Sequence, residues 1–233
     1  MKFIADYCYT YSRGLTISNK SARDLYENSS IYIVPMANPD GVDLVTGGIP
    51  RGSVAYNSAL NYAQNYPSIP FPSGWKSNIR GIDLNLQFPA GWEFAKQIKS
   101  NQGFIYPGPR DFPGYGPLTE PESLALYNFT LQHNFRLVIA YHTQGEVIYW
   151  KYQNIEPPQA REIGEEFARI SGYTLEDTPY ASGFAGYKDW FLKQYNRPGY
   201  TIEAGRGENP IPTSQFSTIY SQNLGILVSG AIL

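Results

Sequence analysis

The chain has 233 residues, 42% of them apolar, and a single cysteine, Cys8: enough length to bury a core, and too few thiols for a disulfide scaffold or a multi-cysteine zinc module. With 18 basic residues against 20 acidic ones and no stretch that concentrates Lys and Arg, nucleic acid is excluded as a partner class. The uncharged stretch Thr213 to Leu233 is interrupted by Ser214, Gln215, Ser217, Ser221, Gln222 and Asn223, so it predicts a packed terminal helix and not a membrane span.

At the start, MKFIADYCYTY lacks the basic region, apolar run and small-residue cleavage site of a signal peptide. Phe3, Ile4, Tyr7, Cys8 and Tyr11 recur at helical spacing with no capping residue ahead of them, which predicts a helix entered partway. The apolar run Ile31 to Val34 predicts a buried strand that ends in a turn at Asn38-Pro-Asp-Gly41. Segments 67–75 and 106–117 are dense in Pro, Gly and aromatics and read as long ordered loops. Thr119-Glu-Pro-Glu122 has capping-box spacing ahead of Leu124, Tyr127 and Leu131, so a helix is expected there, ending near His133. Two apolar runs, within 136–141 and 147–150, flank the polar turn His142-Thr-Gln-Gly-Glu146 as strands. Ala160, Ile163, Phe167 and Ile170 share one helix face that stops at Gly172. A helix over 187–195 and a strand over 200–204 follow, joined by Pro198-Gly199. Alternating apolar strands and amphipathic helices predict a single α/β domain over 1–233, with a mixed, mostly parallel central sheet covered by helices on both faces.

Sites in such sheets gather outside the carboxyl ends of the strands. Asn38, His142 and Glu203 stand at expected strand ends. His142 directly follows a strand and is placed to ligate a metal, or to serve as a hydrogen-bonded structural histidine. Glu203 is followed by Ala-Gly-Arg-Gly, which sets a carboxylate on a rigid element beside a mobile loop; a strand-end ion pair with Arg206 is the alternative.

Asn38-Pro-Asp-Gly41, Arg80-Gly-Ile-Asp-Leu-Asn85, Thr119-Glu-Pro-Glu122, His142, Gly186-Tyr-Lys-Asp-Trp190 and Thr201-Ile-Glu203 occur in an order that resembles the zinc carboxypeptidase family. Segments 75–92 and 182–191 look like its γ-D-glutamyl-diaminopimelate peptidase branch, which cuts bacterial wall peptides. The resemblance implies zinc as cofactor, His142 as a zinc ligand, Glu203 as the general base and a wall stem peptide as substrate. The basic residue that polarises the scissile carbonyl falls at Lys76 or at Arg80. Asn85 matches the amide of an Asn-Arg pair that holds a substrate carboxylate, while Leu86 stands where the arginine would. Tyr180 matches a mobile active-site tyrosine, with a buried core tyrosine as the alternative. Lys188 matches the floor of the specificity pocket, where it would favour an anionic group, with a solvated outer-face lysine as the alternative.

The family's His-x-x-Glu zinc motif does not occur in this sequence. In the family that motif precedes a helix that residues 1–11 match, so the resemblance implies an N-terminally truncated chain; because a catalytic zinc takes about three protein ligands, the chain is expected to bind zinc weakly and to hydrolyse little by itself. Loss of early strands is expected to leave an open edge that invites self-association. The competing reading is a non-catalytic module whose aromatic loops, with Trp75, Trp92, Phe104, Tyr106 and Tyr115, hold a peptide or glycan. A glycosidase is the weaker third, since Glu120 and Glu122 are accounted for by helix capping. The implied substrate points to the bacterial envelope or to wall-peptide recycling, although the chain carries no address.

Overall fold

A computed structural model describes residues 1–232. The chain opens with α1 (Lys2–Ser12), a hairpin of β1 (Thr16–Ile17) and β2 (Lys20–Ser21), then α2 (Ala22–Asn28), α3 (Pro39–Thr46) and α4 (Val54–Ala63). After a long loop come α5 (Trp92–Asn101), α6 (Pro121–Leu131), β3 (Val138–His142), β4 (Val147–Tyr149), α7 (Ala160–Ser171) and β5 (Thr174–Glu176). The last elements are α8 (Tyr187–Tyr195), β6 (Gly199–Glu203) and α9 (Phe216–Ile232). No helix among the described residues is long and apolar enough to cross a membrane.

The central sheet has the order β3-β6-β4-β5. β3 runs parallel to β6, β4 parallel to β5, and β4 antiparallel to β6, so the sheet is mixed with parallel pairings in the majority. Its faces are covered separately because residues alternate along each strand. On one face Ile148, Tyr200 and Ile202 pack against Ile163 and Phe167 of α7 and Ile226 of α9. On the other, Val138 meets Phe191 and Leu192 of α8, with Trp190, Phe88 and Trp92 completing the cluster. Each fully buried side chain of this size contributes about 1.5–3 kcal/mol from area removed from water. The Tyr200 hydroxyl, buried in an apolar layer, donates to the Ala160 carbonyl at 2.6 Å, which avoids an unpaired buried polar group. α7 ends at Gly172, whose φ of +78° is the left-handed cap its sequence announces.

Three sequence expectations are corrected. Ile31 to Val34 forms no strand: the segment is irregular, outside the sheet, and Tyr32, Ile33 and Val34 are exposed. Asn38-Pro-Asp-Gly41 starts a helix. The Asn38 side chain accepts from Gly41 N at 3.0 Å and Pro39 takes the first helical position, where its missing N–H is no loss. The capping box at Thr119 is absent. Glu120 is the residue before α6, and the Thr119 hydroxyl turns instead to Gln87 Oε1 at 3.1 Å. Glu120 is fully buried and accepts from Asn78 Nδ2 at 2.7 Å, a long-range bond that outcompetes a local cap.

The two long loops are ordered because backbone groups bind across them. Pro109 O accepts from Lys76 N at 2.7 Å and Ser77 N at 2.9 Å, and the buried Gln87 amide donates to Pro113 O at 2.6 Å. These bonds fix the segment that carries Lys76, Asn85 and Leu86.

Candidate active-site cleft

Parallel pairing brings His142 and Glu203 into register as direct partners at the last position of β3 and β6. Adjacent strands lie about 4.8 Å apart, so residues 61 positions apart in sequence become neighbours on one rim. Both line a cavity of about 1070 Å³. The Glu203 carboxyl is half-buried, and burial raises its pKa while the charge of Lys76 works in the opposite direction. Arg206 does not neutralise it, because its Nε donates to Glu146 at 2.6 Å, so the strand-end ion pair does not form. Burial, then the positive field of Lys76, lowers the His142 pKa to about 4 against the opposing pull of Asp83 and Asp189. Its imidazole is therefore neutral near pH 7, the form that can ligate a metal.

Of the two basic residues left open by the sequence, Lys76 lines the cleft and Arg80 does not. Arg80 turns toward the buried Glu120, with Nε 3.4 Å from its carboxylate. Asn78 makes this division: its Oδ1 accepts from Arg80 N and Ile82 N at 3.1 and 3.2 Å, closing a turn between the two cations. Lys76 Nζ pairs with the buried Asp83 at 2.9 Å. Burial works against its charge, but Asp83 and, more weakly, Asp111 overcome this and its pKa is raised.

Asn85 also lines the cleft, in a single 3-10 turn at Leu84–Leu86 set by Asp83, whose side chain accepts from Asn85 N. Its Oδ1 accepts from Tyr187 N at 3.3 Å and its amide nitrogen has no protein partner among the described residues. Leu86 lies beside it, largely buried. Tyr180 is not a core residue: it is 66% exposed on the 3-10 turn Tyr180–Ser182, edge-on to Phe184, between Pro179 and Ser182 of the cleft lining.

Lys188 is not a solvated outer-face lysine. It is buried in the first turn of α8 and faces the cleft. Nζ donates to Lys151 O at 2.7 Å and Thr178 Oγ1 at 3.1 Å, and lies 2.8 Å from Asp189 as an ion pair without hydrogen-bond alignment. Two of its three protons are thus taken by hydrogen bonds within the protein, and Asp189 balances its charge.

Sequence reasoning missed Arg110, Asp111 and Lys99, which line the same cleft. Lys99 Nζ pairs with Asp111 at 2.6 Å and Arg110 Nε with the other Asp111 oxygen at 2.7 Å. Arg110 and Asp111 sit in a Pro/Gly-rich loop with no periodicity. Their polar character amid aromatics was the only available signal.

The sequence pattern that defines zinc carboxypeptidases matches residues 1–225. The chain belongs to the zinc carboxypeptidase family. It is 46% identical over 233 residues to the γ-D-glutamyl-L-diamino acid endopeptidase 1 of Lysinibacillus sphaericus, covering 100% of this chain and 57% of that protein. It is 38% identical over 227 residues to the Bacillus subtilis (strain 168) protein YqgT, covering 97% and 58%. The chain therefore spans less than two-thirds of the length of these curated relatives. A solved carboxypeptidase A from Helicoverpa armigera shares the fold, with a TM-score of 0.53 and 20% identity over 85% of this chain and 48% of that one.

The family implies zinc, and the donor set decides how much of a zinc centre these residues make. Among the described residues no group of three or more His, Cys, Asp or Glu side chains could hold a metal ion. His142 is one donor of the about three that a catalytic zinc takes. Asp83 and Asp189, the acids whose charge reaches it, are committed to Lys76 and Lys188. The described residues therefore do not by themselves fit the ion.

Proposed function

We propose that the cleft belongs to a hydrolase of bacterial wall peptides and binds a γ-D-glutamyl amide, with Glu203 as its proton-transfer group. The observation that carries this reading is the register of His142 beside Glu203 at the mouth of the cavity. The 46% identity to a γ-D-glutamyl-L-diamino acid endopeptidase supports the substrate class. A carboxyl whose pKa is raised by burial is better matched to taking a proton from attacking water and returning it to the leaving amine. Lys76 is the cation placed to stabilise charge on the amide oxygen, Asn85 offers an unused amide N–H to a substrate carboxylate, and Tyr180 stands at the rim to close over a bound peptide. Lys188 holds the pocket floor in shape through Thr178 and Lys151. His142 would be one donor to the family's zinc. Residues 1–232 serve in this reading as one catalytic-type domain.

The incomplete donor set favours a second reading, in which this chain by itself binds such peptides without cutting them. Calorimetric titration with L-alanyl-γ-D-glutamyl-diaminopimelate, followed by mass spectrometry of the mixture, separates the two. Binding with cleavage that Glu203→Gln abolishes supports the hydrolase; binding with intact peptide supports the binding module. No binding at millimolar peptide overturns both.

A further inference from the structure

We propose that Arg110 is a specificity-determining residue of this cleft, its guanidinium taking a substrate carboxylate set apart from the amide at Glu203. The inference rests on the peptide-binding reading above and adds the chemical feature that the cleft selects. Four cations line the cavity: Lys76, Lys99, Arg110 and Lys188. Three are committed, Lys76 to Asp83, Lys99 to Asp111 and Lys188 to Asp189. Arg110 shares Asp111 through Nε alone, at 2.7 Å. A guanidinium carries five N–H donors, and the other four have no hydrogen-bond partner among the described residues. The side chain is 49% exposed and lines the open cleft.

The position is built on both sides. Pro109 O accepts from the backbone of Lys76 and Ser77, and Asp111 N donates to the buried Asp83 at 3.1 Å. Asp111 itself holds φ at +65°, a left-handed conformation that is unfavourable for a non-glycine residue and is stabilised here by those bonds and by Lys99. Arg110 is therefore anchored through its neighbours, with one edge of its plane fixed on Asp111 and the other edge presented as a fork. A pre-positioned fork binds a carboxylate in two-point fashion that a lysine ammonium does not reproduce. Glu203 and Glu208, which also line the cavity, would repel a carboxylate placed beside them. The pattern selects a peptide with its neutral amide at Glu203 and an anionic group at Arg110.

Two groups of the proposed substrate have that chemistry: the distal carboxylate of diaminopimelate and the α-carboxylate of D-glutamate. Calorimetry on the whole chain with three peptides distinguishes them: L-alanyl-γ-D-glutamyl-diaminopimelate, the same peptide with L-lysine in the last position, and the same peptide with the glutamate α-carboxylate as its amide. The wild-type chain should bind one of the two analogues about tenfold more weakly than the parent peptide. Arg110→Ala should bind the parent as weakly as that analogue and no longer distinguish the two, and Arg110→Lys should fall between. Equal loss toward all three peptides, or no loss, would overturn the assignment while leaving peptide binding in place. Absence of binding by the wild-type chain would remove the peptide reading itself, and this inference with it. Thermal melts confirm folding of each variant, and Arg110→Lys carries the test if the alanine variant does not fold.

Discussion

Asp111 illustrates how the loop over the cleft is stabilised. Burial pushes its carboxyl up, but the hydrogen bond from Lys99, the charges of Lys76 and Lys99 and the bond from Arg110 outweigh this, and its pKa lies below the ordinary value of 3.8. A carboxyl depressed in the folded state stabilises the fold fully above its unfolded pKa, and that contribution is lost as pH falls toward the folded pKa. Asp111→Asn should therefore lower the melting temperature at pH 7, and the gap between variant and wild type should narrow once pH drops below about 4. A gap of constant size from pH 7 to pH 3 would mean that Asp111 acts by shape and not by charge. Asn78 plays a comparable role with a neutral side chain. It satisfies two backbone N–H groups and the buried Glu120, and so keeps Lys76 over the cleft while Arg80 points away.

The elements that hold the site meet with little space between them. Gly199 begins β6 next to α8, and a Cβ there would stand 2.6 Å from Leu192 Cδ1, 3.1 Å from Val138 Cγ2 and 3.4 Å from Phe191 Cδ1. All three neighbours are buried, so none yields without disturbing the layer that sets β3 against β6. Gly199→Ala should cost about 1–3 kcal/mol by overpacking, read as a lower urea midpoint with unchanged slope. A midpoint equal to wild type would show that α8 shifts freely. These packed elements were legible in the sequence. The β3, β4 and β6 runs, the α7 face ending at Gly172, α8 and α9 are strongly patterned, and their strand ends put His142 and Glu203 among the candidates, whereas the pairing of the two came from the family resemblance. Ile31 to Val34 has the same apolar pattern but no neighbouring strand, and composition alone does not report a missing partner. The capping box at Thr119 failed for a related reason, since Gln87, 32 residues earlier, took the hydroxyl. Arg110 and Asp111 were illegible because their placement depends on backbone bonds to Lys76, Ser77 and Asp83, contacts that no local period encodes.

At the scale of the whole molecule the cleft lies between parts of unequal cohesion. The sheet and the helices on its two faces contain the large clusters, built from Trp190, Phe191, Leu192, Phe167, Tyr200 and Ile202, all 2% exposed or less. The opposite wall, residues 39–75, rests on a separate, smaller cluster of Leu44, Ala59, Ala63 and Trp75, two of them alanines with little surface to bury, around which Val45, Ile49, Tyr56, Tyr62 and Phe71 are only partly buried. Along α4, Val54 is 85% exposed and Leu60 39%, so the helix gains little from its outer face. Regions with few buried apolar contacts open at a lower free energy than the global transition. The α4 amides, from 57 to 63, should therefore exchange hydrogen through a sub-global opening, while those of β6 exchange only on global unfolding. This wall also contributes Val42, Val45, Ser68 and Ile69 to the cavity lining, so a bound peptide touches both parts. A ligand that binds only the closed form stabilises it by RT ln(1 + L/Kd), which grows with the free ligand concentration L. Saturating peptide should slow α4 exchange in native-state hydrogen exchange at low urea and bring its opening energy toward that of β6. Equal opening energies for α4 and β6 without peptide would show instead that the cleft walls unfold as one unit.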